Sequence, residues 1–253
     1  MTVSTVSIAC ASKSVTATVR VTRRVTFTRL TWSIALLLAF ATPLTFAASG
    51  PGVLPGDVAV ANALHGWFSS WLSGPIAFAN VLGRAPVAIV ISACVAMLLG
   101  YRRWFSEAAL VGAAWIAWVG NALLKTLADS PRPTANLVRI SENADGLGFP
   151  SGHVMGITVL LGALFVIATT RITVRPLRRV AQLGTLAMLV LTGIARIEVG
   201  AHWPSDVLGG YLWGTLLLLA IVSVQSNWST VLSIVGNVVT RMLSARRRVS
   251  PTR

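Results

Sequence analysis

Acidic residues are scarce in this chain: seven Asp and Glu stand against 21 Lys and Arg in 253 residues, a net charge of +14. Histidine occurs three times and cysteine twice. Charged residues make up 11% of the chain, under half of the roughly 25% usual in soluble domains. So little charge excludes an ordinary water-soluble domain, and a length prior of about 150 residues per domain, which assumes water as solvent, does not apply. Cys10 lies in an N-terminal tail and Cys94 in an apolar run, a placement that suggests neither a disulfide framework nor a metal site. No carboxylate or histidine cluster has the spacing of a metal-ligand set, so no metal and no other cofactor is expected.

What the chain has is apolar length, with 55% of its residues hydrophobic. A hydrocarbon core of about 30 Å is crossed by roughly 20 apolar residues in a helix. Candidate spans fall at about 31–49, 80–100, 106–125, 153–170, 180–196 and 206–226. The expected fold class is therefore all-α: a polytopic membrane bundle of about six transmembrane helices. Residues 1–29 read as a basic cytoplasmic tail, 30–226 as the six-span domain, and 227–253 as a basic juxtamembrane tail suited to an anionic leaflet. Residues 50–75, with Trp67 and Trp71, read as an interfacial loop carrying a short amphipathic helix. The stretch LTFAASG after the first span resembles a signal-cleavage site, but a 29-residue basic lead-in is long for a signal peptide. A retained anchor is expected.

A strongly basic protein raises nucleic acid as a partner, and the placement of the charge argues against it. Most basic residues flank or link the apolar runs: Lys13 to Arg29 before the first, Arg102 and Arg103 in one break, Arg171 to Arg179 in another, and Arg241 to Arg253 after the last. That is the positive-inside pattern. Six spans put both termini and both Arg-rich breaks in the cytoplasm of a cell, or inner, membrane, and leave the loops 50–79, 126–152 and 197–205 outside. The expected partners are the bilayer and a ligand met at its outer face; oligomeric state is not readable.

Three outside-facing stretches hold nearly all polar residues that topology leaves over. In KTLADSPRP, Lys125 closes a span, and Arg132 sits between Pro131 and Pro133, which stop the helix and stiffen the segment. Taken alone, these are two snorkelling cations. In GFPSGHVMG, Ser151 fits a helix N-cap, and Gly152 and His153 fall in the first turn, where unpaired backbone N–H groups make an anion site that a glycine leaves open to close approach. In ARIEVGAHWPSDV, Pro204 suits the first helical position and makes Asp206 a first-turn acid. His202 is then within reach of Asp206, which can fix its tautomer and leave the other ring nitrogen as a base or nucleophile. Arg196 closes the preceding span with a fork suited to phosphate. Trp203 reads as an interfacial anchor, and Glu198 has no assignable role. Ionisable groups near a bilayer cost energy, up to about 3 kcal/mol at a helix centre. Gathering two Arg, a Lys, two His and an Asp on one face therefore calls for a function, and the inventory suits phosphoryl transfer.

These stretches resemble the signature of the type 2 phosphatidic acid phosphatase (PAP2) superfamily: K-x6-RP, PSGH and SR-x5-H-x3-D. Here they read Lys125-x6-Arg132-Pro133, Pro150-Ser151-Gly152-His153, and Ala195-Arg196-x5-His202-x3-Asp206, with Ala195 where the family often has Ser. The resemblance spans roughly residues 80–226 and implies a core shared with vanadate-dependent haloperoxidases. It implies that His202 attacks phosphorus to form a phosphohistidine, that Asp206 orients it, and that His153 protonates the leaving oxygen and then activates water. Lys125, Arg132, Ser151, Gly152 and Arg196 would bind phosphate, without metal. The implied substrate is a lipid phosphate or pyrophosphate, such as undecaprenyl pyrophosphate, phosphatidic acid or phosphatidylglycerol phosphate. A transporter or channel would need polar residues running through the spans, and the interiors at 157–168 and 207–222 offer no such path. A haloperoxidase would share the anion pocket, but those relatives are soluble.

Overall fold

The computed structural model describes residues 30–67 and 73–226; the two basic tails, with Cys10, and Trp71 lie outside the described residues. Every described element is helical, in the order α1 (Leu30–Ala48), α2 (Asp57–Trp67), α3 (Ser73–Leu82), α4 (Ala85–Tyr101), α5 (Phe105–Gly112), α6 (Ile116–Ala128), α7 (Gly152–Arg171), α8 (Arg175–Glu198) and α9 (Pro204–Ser226). A 3₁₀ turn at Ala113–Trp115 joins α5 and α6 into one apolar stretch, Phe105–Ala128. That stretch and α1, α7, α8 and α9 make five helices long and apolar enough to cross a membrane.

The sixth departs from expectation. Instead of one straight span over 80–100, α3 and α4 meet at a bend of 73°. Pro86 lies in the first turn of α4, where its missing N–H costs nothing, but its ring cannot follow a helix running through Leu82. Arg84 is accordingly extended, at φ −63° and ψ 131°, and the helix restarts at Ala85. Residues 73–79, expected in the outer loop, instead form most of α3 and pack on α8.

The bundle is apolar outside and close-packed inside. Trp32, Phe40, Val119, Leu123 and Leu183 face outward, where acyl chains would meet them. In lipid, apolar side chains gain little by leaving the solvent for a neighbouring helix, so association rests on close fit. α7 is the central helix, with Val154 to Leu161 buried on every side. α9 rides directly on it: a Cβ at Gly210 would lie 2.9 Å from the Ser151 carbonyl, and one at Gly214 2.7 Å from Thr158 Cβ.

Helix ends then sort the polar residues. The C-termini of α6 and α8 and the N-termini of α7 and α9 share one end, with Lys125, Arg196, His153 and Asp206 on them. Arg171 is at the far end, paired with Glu107 and stacked 4.9 Å over the Trp104 ring. α2 braces the polar end. Its first residue, Asp57, is buried and accepts hydrogen bonds from the Ser205 N–H at 2.9 Å and hydroxyl at 2.6 Å. Burial raises the Asp57 carboxyl above its ordinary pKa, outweighing those two bonds. Farther along α2, Asn62 reaches the Leu137 carbonyl, and His65 Nε2 lies 3.1 Å from the Ile197 carbonyl.

Candidate active site

The segment after α6 turns away because Asp129 takes a left-handed conformation, φ 46°, and the prolines around Arg132 cannot continue a helix. Arg132 is held by backbone on both sides: Nε donates to the Gly146 carbonyl at 2.9 Å and Nη1 to the Ala201 carbonyl at 2.7 Å. Lys125 Nζ donates to the carbonyls of Leu147 and Gly148, which leaves one of its three N–H directions free.

α7 begins at Gly152 with Ser151 in the N-cap position, yet the serine hydroxyl makes no capping bond. Ser151 Oγ is instead buried without a partner. The glycine at 152 also has a second reason. A Cβ there would sit 2.8 Å from Asn121 Oδ1, so the α6 side chain fills that space while its Nδ2 donates to the Pro150 carbonyl at 3.0 Å. His153 follows in the first turn, with Nε2 buried and unpartnered.

At the start of α9, Asp206 Oδ2 lies 3.1 Å from His202 Nδ1 and accepts the Trp203 N–H at 3.0 Å. The second contact is the carboxylate half of a capping box, so the residue that orients His202 also closes the helix. Arg132 Nη1, a donor only, lies 3.3 Å from the other ring nitrogen, Nε2. A carboxylate on Nδ1 and a guanidinium on Nε2 select the same tautomer: Nδ1 carries the proton and Nε2 the lone pair. Trp203, expected at the membrane interface, is 2% exposed and donates from Nε1 to the Pro131 carbonyl at 3.2 Å. It ties the first polar stretch to the third, because packing between the two loops leaves it no route to the lipid.

Lys125, Arg132, Gly152, His153, Arg196 and His202 line one cavity of about 250 Å³, with Trp118 and Ala85 among its apolar walls. That is small beside the roughly 300–1,000 Å³ of pockets enclosing a drug-sized ligand, and fits a headgroup rather than a tail. Ser151 and Asp206 stand behind the wall, both fully buried. Buried atoms without partners concentrate here: Ser151 Oγ, His153 Nε2, Arg196 Nε and Asp206 Oδ1. Buried polar atoms are normally satisfied, so such a concentration marks a site built for a polar ligand.

Sequence reasoning missed two residues of this site. Arg196 is 2% exposed, and its Nη1 donates to Asn80 Oδ1 at 2.7 Å and Glu142 Oε1 at 3.1 Å. Glu142 also accepts from Asn80 Nδ2 at 2.7 Å. Burial alone would raise the Glu142 carboxyl, but the hydrogen bonds from Asn80 and Arg196 and the nearby guanidinium charges bring it below the ordinary value. Glu142, one of only seven acids and on a loop between two apolar runs, was visible as an outlier; Asn80 carried no such signal. Glu198 Oε2 is buried without a hydrogen-bond partner, and its role is unexplained.

His202 titrates well below 6.5, chiefly because burial penalises its charged form and next because Arg132, Arg196 and Lys125 repel a proton. The free site therefore holds a neutral imidazole at pH 7. If turnover needs that neutral form, activity falls only well on the acid side. In Arg132→Gln one repelling charge is gone, His202 protonates more readily, and the acid limb of kcat/KM moves to higher pH. An unmoved limb in a pH–rate profile would show that Arg132 does not act on this titration.

A helical membrane bundle with an oriented His–Asp pair over a cationic cavity defines a class of site, and known proteins share its motifs and its fold. The PAP2 superfamily model matches residues 106–230, a stretch that holds all three polar motifs. The fold is shared with a transmembrane PAP2-type phosphatidylglycerolphosphate phosphatase from Bacillus subtilis, at 22% identity over 77% of this chain and 96% of that one, TM-score 0.64. It is also shared with Aquifex aeolicus LpxE, at 18% identity over 67% of this chain and 96% of that one, TM-score 0.53. No match was found among curated proteins.

Proposed function

We propose that this protein is an integral membrane lipid phosphatase that hydrolyses the phosphomonoester or pyrophosphate of a lipid through a phosphohistidine. One observation carries the reading: His202, anchored through Nδ1 on Asp206, directs Nε2 at a cavity that also holds His153 and three cations. Nε2 forms a bond to phosphorus as the bond to the leaving oxygen breaks, and His153 gives that oxygen a proton. His153 then takes a proton from water, whose oxygen attacks phosphorus, breaks the N–P bond and frees inorganic phosphate. Lys125, Arg132, Arg196, Ser151 and the first-turn N–H groups of α7 neutralise and hold the phosphoryl oxygens. Such a reaction is mostly positioning and charge stabilisation.

The substrate is a lipid because the cavity opens at the headgroup end of an apolar bundle and is too small for a tail. Undecaprenyl pyrophosphate, phosphatidic acid and phosphatidylglycerol phosphate are the candidates. The basic breaks between spans support a cell-membrane protein with both termini cytoplasmic and the site extracytoplasmic. A reporter fused near residue 142 tests the orientation, and a cytoplasmic reading overturns it.

The reaction needs no metal in this reading. Full-length protein in detergent with excess chelator is expected to release inorganic phosphate from a polyprenyl diphosphate or from phosphatidic acid. Release only after Mg²⁺ is added would refute the metal-free mechanism, and no release from either lipid would refute the assignment.

A further inference from the structure

The three motifs account for Lys125, Arg132 and Arg196, but a fourth cation stands at the rim of the same cavity. Arg84 occupies the break between α3 and α4. On one side of it, Gly83 packs so close to the catalytic wall that a Cβ there would be 3.2 Å from His153 Cδ2 and from Thr192 Cγ2. On the other side, Ala85 lines the cavity. The Arg84 side chain is about half exposed, with Nη2 3.7 Å from Glu142 Oε2. The other oxygen of that carboxylate, Oε1, is on Arg196. A single carboxylate thus spans one guanidinium inside the cavity and one at its edge.

This placement has a direction. Arg132 lies against Nε2 of His202, the attacking atom, whereas Arg84 follows directly on Gly83, which packs against His153, the residue that protonates the departing oxygen. A cation on the departing side does little for a neutral lipid alcohol. It does much for a leaving group that is itself a phosphate, whose charge rises as the bridging P–O bond breaks. We infer that Arg84 is a specificity-determining residue that binds the inner, lipid-linked phosphate and so favours lipid diphosphates over lipid monophosphates. The inference rests on the phosphatase reading above. His202 Nε2 bonds to the outer phosphorus, the bridging P–O bond breaks, and the lipid monophosphate leaves with the proton from His153. Water then releases the outer phosphate from His202. In the resting site the single Glu142 carboxylate is shared between Arg84 and Arg196, which leaves one positive charge in excess for the inner phosphate to meet.

The test compares two substrates with one tail, farnesyl diphosphate and farnesyl monophosphate, in full-length wild type, Arg84→Ala and Arg84→Lys in detergent. Wild type is expected to favour the diphosphate in kcat/KM. In Arg84→Ala the diphosphate-to-monophosphate ratio falls at least about tenfold, a typical loss for one charge-assisted contact. Arg84→Lys, which keeps the charge but not the fork, recovers part of the ratio. A ratio unchanged in Arg84→Ala, with both substrates equally slowed or neither, overturns the inference, because a purely structural role would lower both. Wild type that cleaves the monophosphate but not the diphosphate also overturns it while leaving the phosphatase reading intact. Wild type that cleaves neither overturns both.

Discussion

His202→Ala releases phosphate at least about 10⁴-fold more slowly than wild type, the scale of losing a nucleophile from a group of residues that act as a unit. The expectation comes from geometry: among the ring nitrogens in the cavity, only His202 Nε2 has its lone pair fixed by a carboxylate on the opposite nitrogen. Asp206→Asn keeps an acceptor near Nδ1 but cannot stabilise the imidazolium, and should cost about 10³–10⁴-fold. The alanine variant is the cleaner experiment. Asp206 also accepts the Trp203 N–H, so its replacement disturbs the start of α9 as well as the histidine. Steady-state release together with an acid-labile, alkali-stable phosphoenzyme in wild type, absent from His202→Ala, completes the test. Turnover within tenfold of wild type in His202→Ala would end the phosphohistidine mechanism.

The second large effect is on folding. Gly200 has φ +70°, and a Cβ there would meet the Arg139 carbonyl oxygen at 2.3 Å and Ile140 Cα at 2.9 Å. Both obstacles are backbone and cannot swing aside. The left-handed conformation costs an L-residue about 1–2 kcal/mol, and forcing atoms into filled space about 1–3 more. Gly200→Ala should therefore destabilise the protein by roughly 2–5 kcal/mol on those two counts. It should also lower activity, since the displaced chain carries Ala201, whose carbonyl holds Arg132, and then His202. Gly146 is the control: its φ is +75°, but nothing lies within 4 Å of a Cβ. Gly146→Ala should cost only the backbone term, about 1–2 kcal/mol. Thermal unfolding of the two variants in one detergent decides it, and equal losses would show that the Arg139 contact carries no weight.

Much of the site could be read from the chain because its chemistry is packed into short stretches. The spacing of Lys125 to Arg132 and of Arg196, His202 and Asp206 is local, and helix-end rules place each side chain at the bundle's end. The cavity brings together all six of the wall residues among those named from sequence, with Ser151 and Asp206 directly behind. What stayed hidden is held by long-range pairs. Asn80 meets Arg196 across 116 positions and Asp57 meets Ser205 across 148, and neither pairing leaves a period or a motif. The broken helix hid for another reason: a hydropathy window averages over Pro86, so an apolar run reads as one span even where its backbone must turn. Trp203 misled because an aromatic beside a span is an interface residue by composition, and only the packing of two loops shows it as internal.

The bond from Asp57 to the head of α9 also bears on how the protein can be divided. A fragment cut to the family-matched stretch, 106–230, keeps every motif residue. It would nevertheless strip the Ser205 N–H and hydroxyl of their acceptor, take Asn80 from Arg196, and remove the wall at Ala85. The folded unit around the site is thus larger than its signature, and the support for the head of α9 reaches 49 positions upstream of the matched stretch, to Asp57.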